Sequence, residues 1–388
     1  MEELRKISGN PDFLGFSSDK ELFKQPKLAD VCIIGTQDAY HLEPAEQALD
    51  IGYDILLEKP ISTDLHRIRR LLDKSERLGR KIMVCHVLRY SPFYVELKKI
   101  VDSGVLGEIV SIDAREGVDP WHQAHSYVRG SWANTAESTP MLIAKSCHDT
   151  DILSWLANRP CISAASFGGL HHFRKENAPE GAPEFCLEGC PVADTCHYNA
   201  AHYFGKHRFW TFVKDGGPKS SDEDIRQWLS QSNYGRCVYR CDNDAVDHQV
   251  LALEFAQGLT ATFTMTAFDI GRQITINGTK GVLRGGAFEK DECGADLIVK
   301  LHHTGERFER KITYQSGGYE SHMGADSGLV EALDGEFKKD PLEMRTGIHA
   351  SIEAHTIGFA AEQARLSGQV VRLDSLPGYY QPPAMQLG

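Results

Sequence analysis

No apolar run in the 388-residue chain approaches the roughly 20 residues of a membrane span. The opening stretch, MEELRKISGN, is charged and lacks the apolar core of an export signal. Basic residues are outnumbered, 42 against 54 acidic, for a net charge of −12, so no phosphate-neutralising face is on offer and nucleic acid is not the expected partner. Ten cysteines in 388 residues fall short of a disulfide scaffold, and a reducing, cytoplasmic setting is expected. Internal repeats and low-complexity tracts are missing too, which excludes solenoid and fibrous architectures. What remains is an ordinary globular composition, 41% hydrophobic and 25% charged, in a chain too long for one small core.

The first hundred residues alternate strand and helix patterns. FLGFSS (13–18) is a short strand candidate, and 19–25 a helix with Asp19 near its cap. ADVCIIGT (29–36) is a continuous apolar run, the mark of a strand buried on both faces. Residues 39–52 are amphipathic, with Ala45, Ala48 and Leu49 on one side and Gly52 as the stop. YDILLEKP (53–60) is the next buried strand. A helix over 62–79 follows, capped by Ser62 or Thr63, lined by Leu65, Ile68, Leu71 and Leu72, and ended by Gly79. KIMVCHVLRY (81–90) reads as a third strand, and 92–107 as a helix with proline in its first turn. Strands separated by such helices imply right-handed crossovers and a parallel, doubly wound sheet. Ligands of such sheets sit at the carboxyl ends of the strands, which here carry Thr36-Gln37, Glu58-Lys59 and Arg89-Tyr90.

From Glu108 the pattern changes. EIVSIDAREG (108–117) alternates as a half-buried strand, 247–268 reads as a hairpin turning at Gln257-Gly258, and 273–286 continues the meander. This predicts a mostly antiparallel sheet with helices on one face, including helices near the C-terminus. Between the strands, about 160–241 is irregular and rich in Gly, Pro, His and Cys, which reads as an insertion.

The stretch ADVCIIGTQDAYHLEPAEQALDIGYDILLEKPIS resembles the nicotinamide-dependent sugar oxidoreductases related to glucose–fructose oxidoreductase and inositol dehydrogenase, the Gfo/Idh/MocA family. The family's Thr-Pro-Asn-x-x-His reads Thr36-Gln37-Asp38-Ala39-Tyr40-His41 here. The likeness continues through Arg89-Tyr90-x-Pro92, 103–112, CHDTDILSWL (147–156), TKGVL (279–283) and the helix at 351–371. It implies an α/β fold, with a Rossmann-type doubly wound parallel sheet over 1–106 and an α+β domain with a mostly antiparallel open sheet over 107–388. Family members open with a strand, a Gly-x-Gly-x-x-Gly turn and a helix that hold the cofactor pyrophosphate. No such turn precedes a helix here, so the Rossmann-type sheet is expected to be N-terminally truncated, without its first βαβ unit, and to bind dinucleotide poorly unless another segment completes it.

What the resemblance implies for the site falls on particular residues. Lys59 is the lysine that hydrogen-bonds the hydroxyl being oxidised, and a lysine at a crowded strand end suits that task. His148 matches the histidine that serves as general base, and a neutral imidazole suits proton transfer from a sugar hydroxyl. The family's upstream acid is Ala144 here and its glycine is Ser146, which unsettles the usual proton relay. Thr36, Gln37, His41, Glu58, Lys59 and Arg89 are the expected contacts to NAD or NADP. Lys145, Asp149, Asp151, Trp121 and Asn243 are candidate substrate contacts, Trp121 by stacking on a sugar face, with His122 and Arg129 as further candidates. A capping or core histidine at 148 and a solvated turn at 241–248 are the plainer alternatives.

Cys186, Cys190 and Cys196 lie within eleven residues, with Cys237 and Cys241 beyond. Thiolates in a segment with little core of its own suggest a structural zinc held by Cys186, Cys190, Cys196 and Cys237, with Cys241 or His197 as other choices for the fourth ligand. Free thiols, disulfides or an iron–sulfur centre are the alternatives. The expected function is NAD(P)-dependent oxidation or reduction of a sugar or polyol. A hydrolytic variant that cleaves glycosides by transient oxidation, and a non-catalytic member, stay open. The expected partner is a small carbohydrate, and the expected assembly a homodimer or homotetramer through the antiparallel sheet.

Overall fold

The computed structural model describes residues 5, 6, 9, 10, 12, 14–286, 296–312 and 322–380. Three strands, β1 (Val31–Ile34), β2 (Asp54–Leu57) and β3 (Ile82–Val84), form a parallel sheet in the order β1-β2-β3. Ile33 stands opposite Leu56, and Leu56 opposite Met83. Ile55, Leu57, Met83 and Val84 are fully buried. Each such side chain stabilises the fold by about 1.5–3 kcal/mol. The crossovers are α1 (Leu42–Ile51) and α2 (Leu65–Leu78), and α3 (Pro92–Asp102) follows the sheet. Helix α1 stops at Gly52, whose φ of 97° lets its N–H reach back to the Ala48 and Leu49 carbonyls. The cap of α2 is Asp64, not Ser62 or Thr63: its carboxylate accepts from the backbone N–H groups of His66 and Arg67.

Three expectations change here. Residues 14–18 form no strand; Ser18 instead caps a short helical turn, Asp19–Leu22. Strand β1 is not covered on both faces, because Ile33 is 69% exposed at the open edge of the sheet. The third strand ends at Val84, and residues Val87–Tyr90 coil into a tight turn before α3. Cys85 and His86 are thereby delivered to the carboxyl end of the sheet.

The second sheet has nine strands in the order β11-β10-β9-β8-β4-β7-β6-β5-β12. Its strands are β4 (Ile109–Val118), β5 (Cys161–Gly169), β6 (His248–Phe255), β7 (Thr260–Thr266), β8 (Ile270–Gly278), β9 (Gly281–Gly286), β10 (Asp296–Leu301), β11 (Arg307–Lys311) and β12 (Val371–Arg372). All neighbours run antiparallel except β4 and β7. The β6–β7 hairpin turns at Gln257 and Gly258, with φ of 62° and 80°. The insertion is narrower than 160–241, since its first residues are β5, paired with β6. Its remainder is short turns and one helix, α5 (Asp222–Gln231), started by a Ser221–Asp224 capping box.

Helix α4 (Cys147–Ala157) and helices α6 (Ala325–Lys338) and α7 (Ile348–Ser367) lie between the sheets or against them. Twelve of the twenty residues of α7 are buried, with an unbroken run from Ser351 to Gly358. Just before α7, Val84 N–H donates to the Thr346 carbonyl at 2.8 Å and Met83 bridges Gly347. Within it, His355 Nε2 accepts from Ile61 N–H at 2.9 Å, and Glu353 takes Cys161 N–H at 2.6 Å. One helix thus fastens both sheets. No helix among the described residues is long and apolar enough to cross a membrane.

Candidate active site at the carboxyl ends of the parallel strands

Strand β2 ends in Glu58 and Lys59, and the chain then turns through a cis Lys59–Pro60 peptide. His41, at the start of α1, spans this turn: Nδ1 lies 2.7 Å from the Pro60 carbonyl and Nε2 2.9 Å from the Thr36 carbonyl. The ring ties the ends of β1 and β2 together, so His41 is a positioning group. Thr36 and Gln37 are exposed beyond β1, and Glu58 and Lys59 are half-buried. The Lys59 ammonium reaches 85 residues along the chain and donates to the Ala144 carbonyl at 3.0 Å. Where the family pattern has an acid side chain, this chain offers the lysine a backbone oxygen.

His148 lies one turn beyond Ala144, in the first turn of α4. It is fully buried, and neither ring nitrogen has a hydrogen-bond partner among the described residues. Burial, reinforced by the Lys59 charge, holds its pKa well below the usual imidazole range, so the ring is neutral. His86, from the end of β3, faces it edge-on at 6.0 Å between ring centroids, and His322 stands at 5.3 Å. Unpartnered buried imidazoles beside an ammonium are what a hydroxyl-bearing ligand would satisfy.

Next to this pair sits a buried charge cluster. Glu116 on β4 and Arg272 on β8 are register partners and form an ion pair. Arg272 also donates to Asp149 at 2.8 Å, and Lys145 approaches Glu116 at 3.6 Å. Burial works against the Glu116 charge, but Arg272 and Lys145 outweigh it and hold its pKa near about 2. Asp149 goes the other way: burial and the adjacent Glu116 push it up to about 8 despite Arg272. Lys145 and Asp149 therefore face this cluster from the segment that also carries Ala144 and His148.

Other expected contacts are directed elsewhere. Arg89 and Asp151 bind each other bidentately, with both N–O distances 2.7 Å, and the remaining Arg89 donors go to the Arg345 and Ala350 carbonyls. The guanidinium is thus committed to protein groups rather than to cofactor, and Asp151 to Arg89 rather than to substrate. Trp121 is 1% exposed and stacked on His207 at 3.9 Å, so it has no face left for a sugar. It anchors a small core with Tyr203, Ile225 and Leu229. Arg129 is buried against the insertion, donating to the Arg236 and Tyr198 carbonyls. His122 packs beside Trp210 and Tyr127. Asn243 is half-buried, its amide donating to the Phe173 carbonyl at 3.4 Å.

Cys186, Cys190, Cys196 and Cys237 line one tight, apolar cavity in the insertion. The described cysteines are free thiols. Among the described residues, no three His, Cys, Asp or Glu side chains are set to hold a metal ion, so the zinc expectation finds no support. The segment is held instead by aromatic packing of Phe173, Tyr198 and Tyr239 around these thiols.

Sequence reasoning missed His86, Glu116 and Arg272. His86 was hidden inside an apparent strand. Glu116 and Arg272 are 156 residues apart and meet only through strand register.

A parallel Rossmann-like sheet joined to a large mixed sheet, with Lys59 of the first reaching the Ala144 carbonyl, defines a two-domain oxidoreductase fold. Family models agree at both ends: residues 2–86 match the "Oxidoreductase family, NAD-binding Rossmann fold" and 98–372 the "Oxidoreductase family, C-terminal alpha/beta domain". The chain belongs to the Gfo/Idh/MocA family. It is 26% identical over 346 residues to YteT of Bacillus subtilis (strain 168), named as an oxidoreductase, covering 85% of this chain and 77% of that one. It is 27% identical over 168 residues to the inositol 2-dehydrogenase/D-chiro-inositol 3-dehydrogenase of Lactiplantibacillus plantarum, 43% of this chain but 45% of the relative. Among solved structures, an oxidoreductase from Agrobacterium radiobacter in complex with NAD+, L-tartaric acid and magnesium superposes with a TM-score of 0.64 at 14% identity, over 96% of this chain and 88% of that one. The aldose-aldose oxidoreductase of Caulobacter crescentus, complexed with glycerol, gives 0.60 at 14% over 96% and 88%. At these identities the structures speak for the fold.

Proposed function

We propose that this protein is an NAD(P)-dependent oxidoreductase acting on a sugar, polyol or sugar derivative, with Lys59 and His148 as its catalytic residues. The observation that carries this reading is a half-buried ammonium, held on the Ala144 carbonyl at 3.0 Å, near a buried neutral imidazole whose nitrogens have no partner among the described residues. The nicotinamide end of a cofactor fits the strand ends: Thr36 and Gln37 are exposed there, Glu58 and Lys59 half-buried, and the unpartnered rings lie next to them. When bound, such a cofactor supplies the hydride acceptor or donor. Lys59 orients the substrate hydroxyl and stabilises negative charge as its proton leaves. His148 takes that proton on a ring nitrogen, which its neutral state permits. Lys145 and Asp149 shape the wall of the substrate pocket, with Asn243 at its periphery.

In this reading, residues 1–106 carry the cofactor and 107–388 the substrate, with the large sheet as the face for a homodimer or homotetramer. The test is direct. The purified chain, mixed with NAD+ or NADP+ and a panel of polyols and aldoses, is followed by nicotinamide absorbance. Reduction with at least one member supports the reading; no reduction, with no cofactor retained after denaturation and mass spectrometry, sinks it.

A further inference from the structure

Arg129 is a buried cation without a carboxylate. It is 2% exposed and ends the helical segment Gln123–Arg129. Its Nε donates to the Arg236 carbonyl at 2.9 Å and its Nη2 to the Tyr198 carbonyl at 2.8 Å. Nη1 has no partner among the described residues, and no acidic side chain among them pairs with the guanidinium. Its one anionic candidate is the Cys186 sulfur, 3.5 Å from Nη2. A buried charge left unpaired is strongly unfavourable, so this site calls for negative charge.

The thiols that could supply it surround one cavity. Cys186, Cys190, Cys196 and Cys237 line it, and most of the remaining wall is apolar. Two of the four are placed by a short antiparallel ribbon in which Phe185 pairs with Arg236. Cys186 N–H donates to the Gly235 carbonyl and Cys237 N–H to the Glu184 carbonyl, both at 2.9 Å. Cys186 and Cys237 are therefore diagonal neighbours on one face, and such neighbours stand about 7–8 Å apart at Cα. A disulfide needs its Cβ atoms within about 4.5 Å. A single zinc ion, bonded to each sulfur at about 2.3 Å, needs the thiolates equally close together. No three described side chains converge in that way. A cuboidal iron–sulfur cluster binds one thiolate at each iron, so its four ligands stand farther apart around a central volume. Burial raises the Cys196 and Cys237 thiols, but the backbone N–H groups of Tyr198 and Tyr239 point at these sulfurs and act against it. N–H donation to ligand sulfur is one of the means by which proteins stabilise and tune such clusters.

We propose that Cys186, Cys190, Cys196 and Cys237 hold a [4Fe–4S] cluster that ties the insertion to the segment at 123–129, with Arg129 as its buried counter-charge. Cys241 is not a ligand: its sulfur is turned to the Cys237 carbonyl at 3.5 Å. The wider spread of the thiols accounts for a cysteine cluster that does not form a zinc site. The proposal is independent of the chemistry assigned to Lys59 and His148.

The test uses the full chain, purified without oxygen and reconstituted with ferrous iron and sulfide, then desalted with a chelator. About four irons and four acid-labile sulfides per chain are expected, with visible absorbance that bleaches on reduction by dithionite. Cys186→Ser and Cys237→Ser should each lose more than about half of the bound iron, and Cys241→Ser should keep it. Arg129→Gln should lower the reduction potential, because the cluster then loses a nearby positive charge. Zinc without labile sulfide, about two irons per chain, or no retained metal overturns the proposal, as does full iron content in both ligand variants. An unchanged potential in Arg129→Gln overturns the role given to Arg129. If the variants do not fold, the iron and sulfide content of the wild-type chain decides.

Discussion

Arg89 and Asp151 form a bidentate ion pair across the junction of the two sheets, with Nε to Oδ2 and Nη2 to Oδ1 both at 2.7 Å. Both are buried. Removing one partner leaves an uncompensated buried charge, which typically costs about 3–5 kcal/mol. Asp151→Asn and Arg89→Ala should each destabilise the fold by an amount in that range, read from the denaturant midpoint multiplied by the m-value. The double variant Arg89→Met/Asp151→Leu should recover much of it. A loss confined to activity, with the midpoint unchanged, would instead give the pair a ligand-binding role.

Lys59→Ala removes the side-chain ammonium seated on the Ala144 carbonyl. Turnover should fall by at least about a hundredfold, the lower range for a positioned acid–base group, with circular dichroism unchanged. Near-normal turnover would refute its role. His148→Asn should give a loss of similar order.

Trp121→Ala should act on stability rather than on substrate affinity. The ring is 1% exposed and stacked at 3.9 Å on His207, so its loss opens a cavity. The expected cost is about 3–5 kcal/mol, read from urea or thermal unfolding. A raised KM in a protein of wild-type stability would restore the sugar-stacking role.

The Glu116–Asp149 pair gives stability a dependence on pH. Asp149 has a folded pKa raised to about 8 from 3.8, so the native state holds its proton longer than the unfolded chain. Its contribution is therefore lost as pH rises from near 4 through 8. Glu116, lowered to about 2 from 4.5, contributes above its unfolded pKa and loses that contribution as pH falls toward 2. The stability of wild type relative to Asp149→Asn should decline between pH 4.5 and 8.5; a flat difference in urea midpoint across that window would contradict the assignment.

Much of the frame was legible because local rules govern it. Gly52 and Gly79 stop α1 and α2, and Gln257-Gly258 turns the β6–β7 hairpin, all at positive φ. Lys59 and His148 were singled out from motif order, and Lys59 reaches the Ala144 carbonyl one turn before His148. What was not legible depends on distant partners. Strand β5 is made largely of small residues, Ser163, Ala164, Ala165 and Ser166, whose strand character comes from pairing with β6. Arg89 and Asp151 were each read as ligand contacts from the family resemblance; nothing local says that they satisfy each other. Trp121 looked available because an aromatic residue's exposure is set by packing, here by the far side of the insertion. His86 was missed because β3 was read past its true end.

The middle of helix α7 is buried, its His355 is bonded to Ile61 in the loop after β2, and the Thr346-Gly347 segment just before it is bonded to Val84 and Met83 of the parallel sheet. Swinging the two sheets apart would strip partners from the backbone N–H groups of Ile61 and Val84 and split the Arg89–Asp151 pair in the same motion. Around Lys59 the two sheets are for that reason braced against one another rather than hinged.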